Sequence, residues 1–289
     1  MKRSMHLLII DPQNDFCDLP ETYRPLDPSS DQRFAPALPV AGAHADMLRL
    51  AQLIRQGADG LTDITVTLDS HHRLDIAHPT FWHTANGSAV SPFTQITAQQ
   101  VRAGAYRPRH PHALPRALAY LDALEARGRY TLMVWPVHCE LGSWGHNVHA
   151  DVRSAYNTWE ERMLRVVQKV MKGTNPWTEH YSAVLAEVPD ADDPTTQLNT
   201  ALIEQLDHAD LLIIAGEASS HCVKATTEHI VQNLPGRRLD RLILLTDCMS
   251  PVAGFEAQHE QFFTAMQAEG VRLATSADLL PTIQANDAQ

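Results

Sequence analysis

Continuous apolar runs of strand length alternate along this chain with stretches whose apolar residues recur at helical spacing. Runs that are apolar throughout, rather than at every second position, are typical of strands buried on both faces of a sheet. They predict strands at 7–10, 64–68, 130–135, 164–168, 211–215, 242–246 and 271–274, of which the fourth has the weakest signal.

The intervening stretches predict amphipathic helices. The first has one apolar face and ends at a glycine suited to a C-terminal cap: Met47, Leu50, Ala51, Ile54 and Gly57. Others are predicted around 114–124, 198–206, 223–234 and 262–266, with Thr195 and Thr196 as N-terminal caps of the helix at 198–206. This alternation predicts a three-layer α/β/α fold with a mostly parallel six-stranded sheet of Rossmann-like topology.

Two long segments do not fit this minimal scaffold. Residues 19–39 are rich in proline, aspartate and serine, and residues 83–129 contain a segment rich in proline, histidine and arginine before a predicted helix. No repeat or linker divides the chain, so we predict a single domain over 1–289 with insertions near 19–39 and 83–129. Loops this long often form lids or subunit contacts, and we expect a homo-oligomer.

Composition and charge narrow the class of protein. The 289 residues carry a formal net charge of −11 with no basic stripe, which argues against nucleic-acid or membrane partners. No apolar run approaches the roughly 20 residues that span a bilayer, and the N-terminal run is too short for a signal peptide. Four cysteines without a short repeated spacing indicate reduced thiols. We therefore expect a cytoplasmic protein that acts on a small molecule.

Polar or reactive residues stand at the carboxyl ends of five predicted strands: Asp11, Asp69, His138, Lys172 and Cys222. In an open parallel sheet these ends meet at one crevice, where ligands bind. Cys222 follows a turn of small residues at the start of a predicted helix. A helix N-terminus lowers the pKa of a thiol, and small residues let backbone N–H groups approach an oxyanion. Taken alone, however, an unpaired cysteine is as consistent with a buried core residue.

One group of these residues suits a metal ion. Asp69 and His71, with His138 from a neighbouring strand end, supply one carboxylate and two imidazoles, and His78 is a candidate fourth ligand. Such a set suits zinc, iron or manganese with positions left open for water or substrate. The alternative is a chance cluster, since the chain has 16 histidines.

A second group suits nucleophilic catalysis. Asp11 near Cys222 can take the thiol proton, and Lys172 near both keeps the carboxylate ionised and favours the thiolate. The alternative is a structural Asp11–Lys172 ion pair beside a packed cysteine. The chain has no G-x-G-x-x-G after a strand, no Walker-type phosphate loop and no G-x-S-x-G, so nucleotide or serine-hydrolase chemistry is not indicated.

In order along the chain, these segments resemble the motifs of the isochorismatase-like cysteine hydrolases, and within them the nicotinamidase branch. The resemblance rests on DPQNDF from Asp11, DSH from Asp69, WPVHC from Trp135, KG from Lys172 and GEASSHCV from Gly216. The chain departs from the family at Ser219 and Ser220, where Thr-Asp is usual, and at Glu217, where an apolar residue is common. The 83–129 insertion is longer than in compact nicotinamidases and is expected to reshape the substrate entrance.

The resemblance implies a role for each matching residue. Cys222 becomes the nucleophile, Asp11 the proton acceptor and Lys172 its electrostatic partner. The metal ligands become Asp69, His71 and His138. It further implies a cis peptide between Glu217 and Ala218, an oxyanion hole formed by the N–H groups of Ala218 and Cys222, and a flat substrate ring between Phe16 and Trp135.

The function that this resemblance implies is a metal-dependent amidohydrolase. It would hydrolyse a small aromatic carboxamide such as nicotinamide to the acid and ammonia through a thioester intermediate. It would bind one divalent transition metal ion, for which zinc is expected ahead of iron or manganese. Two other functions stay open. One is hydrolysis of another small amide, carbamoyl or ureido compound, and the other is a non-catalytic member that binds a partner. The retained Cys222, Asp11 and Lys172 argue against the last.

Overall fold

The computed structural model describes residues 2–286 of the chain. In chain order its strands are β1 (Met5–Ile10), β2 (Leu26–Asp27), β3 (Gln32–Arg33), β4 (Asp63–Asp69), β5 (Trp82–Thr84), β6 (Thr94–Ile96), β7 (Tyr106–Pro108), β8 (Leu132–Val134), β9 (Gln168–Lys172), β10 (Leu211–Gly216), β11 (Leu242–Leu245) and β12 (Arg272–Ala274). Its α-helices are α1 (Ala43–Gln56), α2 (Ala98–Arg102), α3 (Leu114–Arg127), α4 (Ala150–Met163), α5 (Thr200–Asp207), α6 (Cys222–Asn233), α7 (Glu256–Ala268) and α8 (Ser276–Ala285).

A parallel sheet forms the centre of the fold. Within residues 2–286 it has six strands in the order β12-β11-β10-β1-β4-β9, and every neighbouring pair is parallel. Strands β1 and β10 are buried along their whole length, as their continuous apolar runs predict. Helix α1 packs against α4 and α8, and α6 packs against α7. The predicted three-layer α/β/α architecture is confirmed.

Two predicted strands differ from the observed ones. The run at 130–135 forms β8, but β8 pairs antiparallel with β6 in the insertion and lies outside the central sheet. An apolar run indicates burial, not the partner that buries it. The predicted strand at 164–168 is wrong, because Leu164 is the 89% exposed cap of α4 and the strand is β9, four residues later. As an edge strand, β9 is mostly exposed and lacks the apolar signal.

The caps of the helices follow the prediction in part. Helix α1 ends at Gly57 as expected. The prediction of Thr195 and Thr196 as N-caps of α5 is wrong, since both lie in a preceding 3-10 turn. Asn199 caps α5, and its side-chain oxygen accepts a hydrogen bond from the N–H of Leu202 at 3.0 Å.

The 83–129 insertion is built from regular elements. It contains the antiparallel partners β5 and β7, the strand β6 that pairs with β8, and the helices α2 and α3. Helix α2 begins with a capping box in which Thr97 and Gln100 exchange hydrogen bonds. The insertion is therefore an ordered layer beside the sheet.

The sheet topology brings the predicted site residues together. Asp11 directly follows β1, Asp69 and Lys172 are the last residues of β4 and β9 and lie opposite each other in register, and Cys222 begins α6. At the end of β10, Gly216 has a φ of 121°, and a Cβ there would lie 1.9 Å from the carbonyl oxygen of Ile10. This close approach of β10 to β1 requires glycine. None of the helices within residues 2–286 combines the length and apolarity that crossing a bilayer demands.

Candidate active site

The side chain of Lys172 lies at the centre of the site. Its Nζ is 2.9 Å from Asp11 Oδ2, 2.9 Å from Asp69 Oδ1 and 3.6 Å from Cys222 Sγ. It also donates a hydrogen bond to the carbonyl oxygen of His180 at 3.0 Å. One buried ammonium group therefore contacts both groups of residues predicted from the sequence, the catalytic set and the metal set.

The charges on Lys172 and its partners support each other. Burial opposes the charge on Lys172, but the carboxylates of Asp11 and Asp69 outweigh it and hold the lysine pKa well above its usual value. Burial likewise opposes the charge on Asp69, but His71 and Lys172 hold the pKa of that carboxyl well below its usual value. Ion pairs in a low-dielectric interior need such mutual compensation.

Asp11 is held beside the thiol by the end of β1 and by Thr67. Its backbone has a φ of 44°, its N–H donates to Thr67 Oγ1 at 3.1 Å, and the Thr67 hydroxyl donates to Asp11 Oδ1 at 2.5 Å. Burial raises the pKa of the Asp11 carboxyl, although Lys172 lowers it. A carboxylate with raised proton affinity next to a thiol can act as a proton acceptor.

Cys222 is buried at the first position of α6, with 6% of its surface exposed. Burial raises the pKa of its thiol well above the usual value, while Lys172 lowers it and Asp11 raises it further. This direction is opposite to the lowering expected from the helix terminus alone. The thiol is therefore protonated at rest, and its proton must leave as the sulfur attacks.

The turn before Cys222 supplies unpaired backbone donors. The peptide between Glu217 and Ala218 is cis, as the resemblance implies. The carbonyl oxygen of Ala218 accepts hydrogen bonds from the N–H groups of His221 and Val223. Among the hydrogen bonds between residues 2 and 286, neither the N–H of Ala218 nor that of Cys222 is a donor. Both are available to a substrate oxyanion.

Three buried histidines form a cluster beside Asp69. Ring nitrogens of His71, His78 and His138 lie within 4.8 Å of one another. Asp69 Oδ2 is 3.1 Å from His71 Nε2 and 3.3 Å from His138 Nε2. On the far side of the His71 ring, Nδ1 is 3.1 Å from Asp75 Oδ2. The fold thus brings the three histidines together and places Asp69 against two of them, and the Asp75 carboxylate behind His71 orients its ring.

The chemistry of this cluster fits a divalent transition metal. Imidazole and carboxylate are the ligands that zinc, iron and manganese accept. His78 Nδ1 is buried and has no hydrogen-bond partner among the described residues. Burial, followed by the neighbouring His138 and His71, lowers the pKa of His78 to about 3, so its ring is neutral, as a metal ligand requires.

A small cavity opens onto the thiol. It is lined by Phe16, Trp135 and Ala218 as well as by Cys222, and its free volume is about 20 Å³. Trp135 Nε1 donates a hydrogen bond to the Tyr181 hydroxyl at 3.1 Å, which fixes the indole plane. This volume accommodates little more than one water molecule, so a ring can enter only when the walls move apart.

Among the lining residues of this cavity that sequence reasoning missed are His221 and Glu179. His221 contacts Trp135 and Phe255, with ring centroids 5.2 and 4.6 Å away, and burial lowers its pKa to about 4. Its position next to Cys222 was an available signal. Glu179 lies in the irregular segment between β9 and α5, where no pattern marks it. Burial raises the pKa of its carboxyl to about 7, and Oε2 has no hydrogen-bond partner within residues 2–286.

No protein-family model and no curated protein matches this sequence. Solved structures do match. The yeast nicotinamidase bound to the inhibitor nicotinaldehyde aligns with a TM-score of 0.62 at 18% identity, over 94% of this chain and 99% of that one. An Acinetobacter baumanii nicotinamidase/pyrazinamidase gives 0.60 at 20% identity, over 96% and 98%. A Pyrococcus horikoshii pyrazinamidase in complex with zinc gives 0.51 at 16%, over 94% and 99%.

These alignments span nearly the whole of each chain, and they establish a shared fold. An isochorismatase-like hydrolase from Alkaliphilus metalliredigens matches as well, with a TM-score of 0.51 at 13% identity. The chain has the fold of the isochorismatase-like hydrolases, so the resemblance read from its motifs is confirmed at the level of the fold.

Proposed function

We propose that this chain is a metal-dependent cysteine amidohydrolase that converts a small aromatic carboxamide, such as nicotinamide, to the acid and ammonia. The observation that carries the proposal is the position of Lys172, whose ammonium contacts Asp11, Asp69 and Cys222 beside the small cavity that Asp69 and Cys222 line. If Cys222 were only a packed residue beside a structural ion pair, the fold would not need the raised proton affinity of the Asp11 carboxyl or the available N–H groups of Ala218 and Cys222. The fold shared with nicotinamidases supports the same chemistry.

In the first half of the reaction Asp11 takes the thiol proton as the sulfur of Cys222 attacks the carbonyl carbon. The carbonyl oxygen then carries the negative charge, and the N–H groups of Ala218 and Cys222 stabilise it. Asp11 returns the proton to the amide nitrogen, the carbon–nitrogen bond breaks, and ammonia leaves. The acyl group stays on Cys222 as a thioester.

In the second half a water molecule attacks the thioester carbon. Asp11 takes a proton from the water, the carbon–sulfur bond breaks, and the sulfur of Cys222 leaves as a thiolate that regains a proton. Lys172 stabilises the ionised forms of both groups throughout, because its ammonium remains within 3.6 Å of each. Phe16 and Trp135, which both line the cavity, would hold the ring.

Asp69, His71, His138 and His78 would hold one divalent ion, with zinc proposed before iron or manganese. Such an ion supplies a Lewis acid that orients a ring nitrogen or a water. Asp75 keeps the His71 ring in position for this role.

The test is an ammonia-release assay with nicotinamide on the purified chain, before and after a chelator, together with metal analysis. We expect turnover that falls on chelation and returns with added zinc, iron or manganese. An active enzyme that contains no metal would contradict the metal site. A protein with metal and a reactive Cys222 but no activity on any amide would contradict the reaction.

A second substrate class is favoured by Glu179. Glu179 lines the cavity, and its Oε2 is buried without a hydrogen-bond partner within residues 2–286, so it is a free acceptor for an additional substrate N–H group that reaches it. Ureido and carbamoyl compounds carry such a group. Comparing kcat/KM for nicotinamide and for small ureido compounds in the wild type and in Glu179→Gln separates the two classes.

A further inference from the structure

A second cavity lies on the insertion, away from the thiol. Its free volume is about 630 Å³, within the range of small-molecule sites. Its apolar walls include Phe81 and Trp177, whose ring centroids are 5.6 Å apart with the ring planes at 90°. The two rings touch edge to face and form a continuous aromatic wall, against which a flat ring can pack.

Two arginines line this cavity in a chain whose net charge is −11 with histidine counted as neutral. Arg109, Arg116, His110 and His112 all contribute to its lining, whereas none of its lining residues is acidic. We call this space, lined by these four residues with Phe81 and Trp177, the basic cavity.

The two arginines differ in how far they are neutralised. Arg116 lies 4.3 Å over the Trp177 ring and pairs with Asp190 at 2.7 Å. Within residues 2–286 the Arg109 guanidinium donates only to the carbonyl oxygen of Trp82, and no carboxylate lies within 4.0 Å of it. An exposed guanidinium without a carboxylate, beside an aromatic wall, is suited to bind an anionic group.

We propose that the basic cavity is a second ligand site, which binds an organic anion with a flat ring. The ring lies against Phe81 and Trp177, and the anionic group pairs with Arg109 and Arg116. An aromatic carboxylate and a nucleoside monophosphate share this chemistry. A protein segment fits less well, because the space is a concave pocket of small-molecule size rather than an open face.

The test is isothermal titration calorimetry on the Cys222→Ala variant, with benzoate, benzamide, AMP and inorganic phosphate as separate probes. We expect saturable binding of benzoate, AMP or both, and at least tenfold weaker binding of neutral benzamide and of phosphate without a ring. Tighter binding of benzoate than of AMP identifies the ligand class as an aromatic carboxylate, and tighter binding of AMP identifies it as a nucleotide.

The variants Arg109→Met and Trp177→Leu should each weaken this binding at least tenfold. Arg102→Met is the matched control, since Arg102 is an exposed arginine of the same insertion that pairs with Asp122 and does not line the cavity. Because benzamide and benzoate can also enter the thiol cavity, only the binding that Arg109→Met and Trp177→Leu remove is assigned to the basic cavity. Equal binding of benzoate and benzamide in that part, or benzoate binding that survives both cavity variants, would overturn the proposal. So would the absence of saturable binding by benzoate and AMP. None of these readouts requires turnover, so a failure of the proposed amidase activity leaves this test intact.

Discussion

The two cavities of this protein place their charges in opposite ways. At the thiol, about 20 Å³ of free space is surrounded by buried charges that pair with one another, with Lys172 between Asp11 and Asp69. In the basic cavity, about 630 Å³ is bordered by exposed cations, and Arg109 has no carboxylate partner among the described residues.

The two cavities should therefore respond differently to substitution. Removing one member of a buried, paired set leaves its partner as an uncompensated charge in a low dielectric, which costs about 3–5 kcal/mol. Removing an exposed cation costs about 1 kcal/mol or less. Substitutions at the thiol should therefore damage chemistry and stability, whereas substitutions in the basic cavity should change ligand binding alone.

The largest effect should come from the nucleophile. Cys222→Ala is expected to lower turnover at least roughly 10³-fold, because no other group can form the thioester, and to leave the metal content unchanged. The buried Cys248 offers a matched control, and Cys248→Ala should retain activity. Activity of Cys222→Ala within tenfold of the wild type would show that Cys222 is a packing residue.

The metal content should distinguish histidines of the two cavities. His138→Ala is expected to lose most of the bound metal, because a lost ligand cannot be replaced, and His78→Ala should lose less, because water can fill a fourth position. His112→Ala, in the basic cavity, should keep its metal. Metal-to-protein ratios of the purified variants provide the measurement, and a fully loaded His138→Ala would contradict this site.

A smaller effect is expected on the reactivity of the thiol. Lys172 lowers the pKa of Cys222, so Lys172→Met should raise that pKa and slow alkylation near neutral pH about tenfold or more. The measurement is the alkylation rate against pH, with Arg109→Met as a cation control. Lys172→Arg keeps the charge and checks that any loss is electrostatic. Identical profiles for Lys172→Met and wild type would rule out the electrostatic role.

The smallest effect should be on stability at the basic cavity. Arg116→Met removes one exposed ion pair and one cation–π contact, and the free energy of unfolding should fall by about 1 kcal/mol or less. Urea unfolding of this variant beside Lys172→Met compares the two cavities directly. A loss above about 2 kcal/mol in Arg116→Met would mean that the basic cavity is structural.

The central sheet was predictable from the sequence, and so was the gathering of polar residues at the carboxyl ends of its strands, because both depend on local patterns. Runs such as 211–215 are apolar enough to require burial on two faces, and parallel strands place residues such as Asp69 and Lys172 at one edge. The run at 130–135 was assigned to the central sheet because a strand buried by the insertion has the same apolar pattern as a strand of the sheet. Strand β9 was misplaced because an edge strand needs little apolar character.

The parts of the site that escaped prediction depend on contacts between distant segments. Glu179 reaches the cavity from an irregular loop, and only the three-dimensional structure shows that its Oε2 has no hydrogen-bond partner among residues 2–286. The raised pKa of Cys222 likewise follows from burial, which the motif around it does not encode. The basic cavity combines residues of the insertion with Trp177, which lies about 60 positions after the start of α3. No local motif can mark a cavity whose walls are this far apart in the sequence.

The narrow cavity at the thiol has a kinetic consequence. Because its free volume is about 20 Å³, each turnover must begin with an opening movement of the walls that include Phe16 and Trp135. The rate of substrate capture is then set by how often the walls open rather than by how often substrate collides with the protein. The second-order rate constant should lie well below the diffusion limit and should respond weakly to added viscogen.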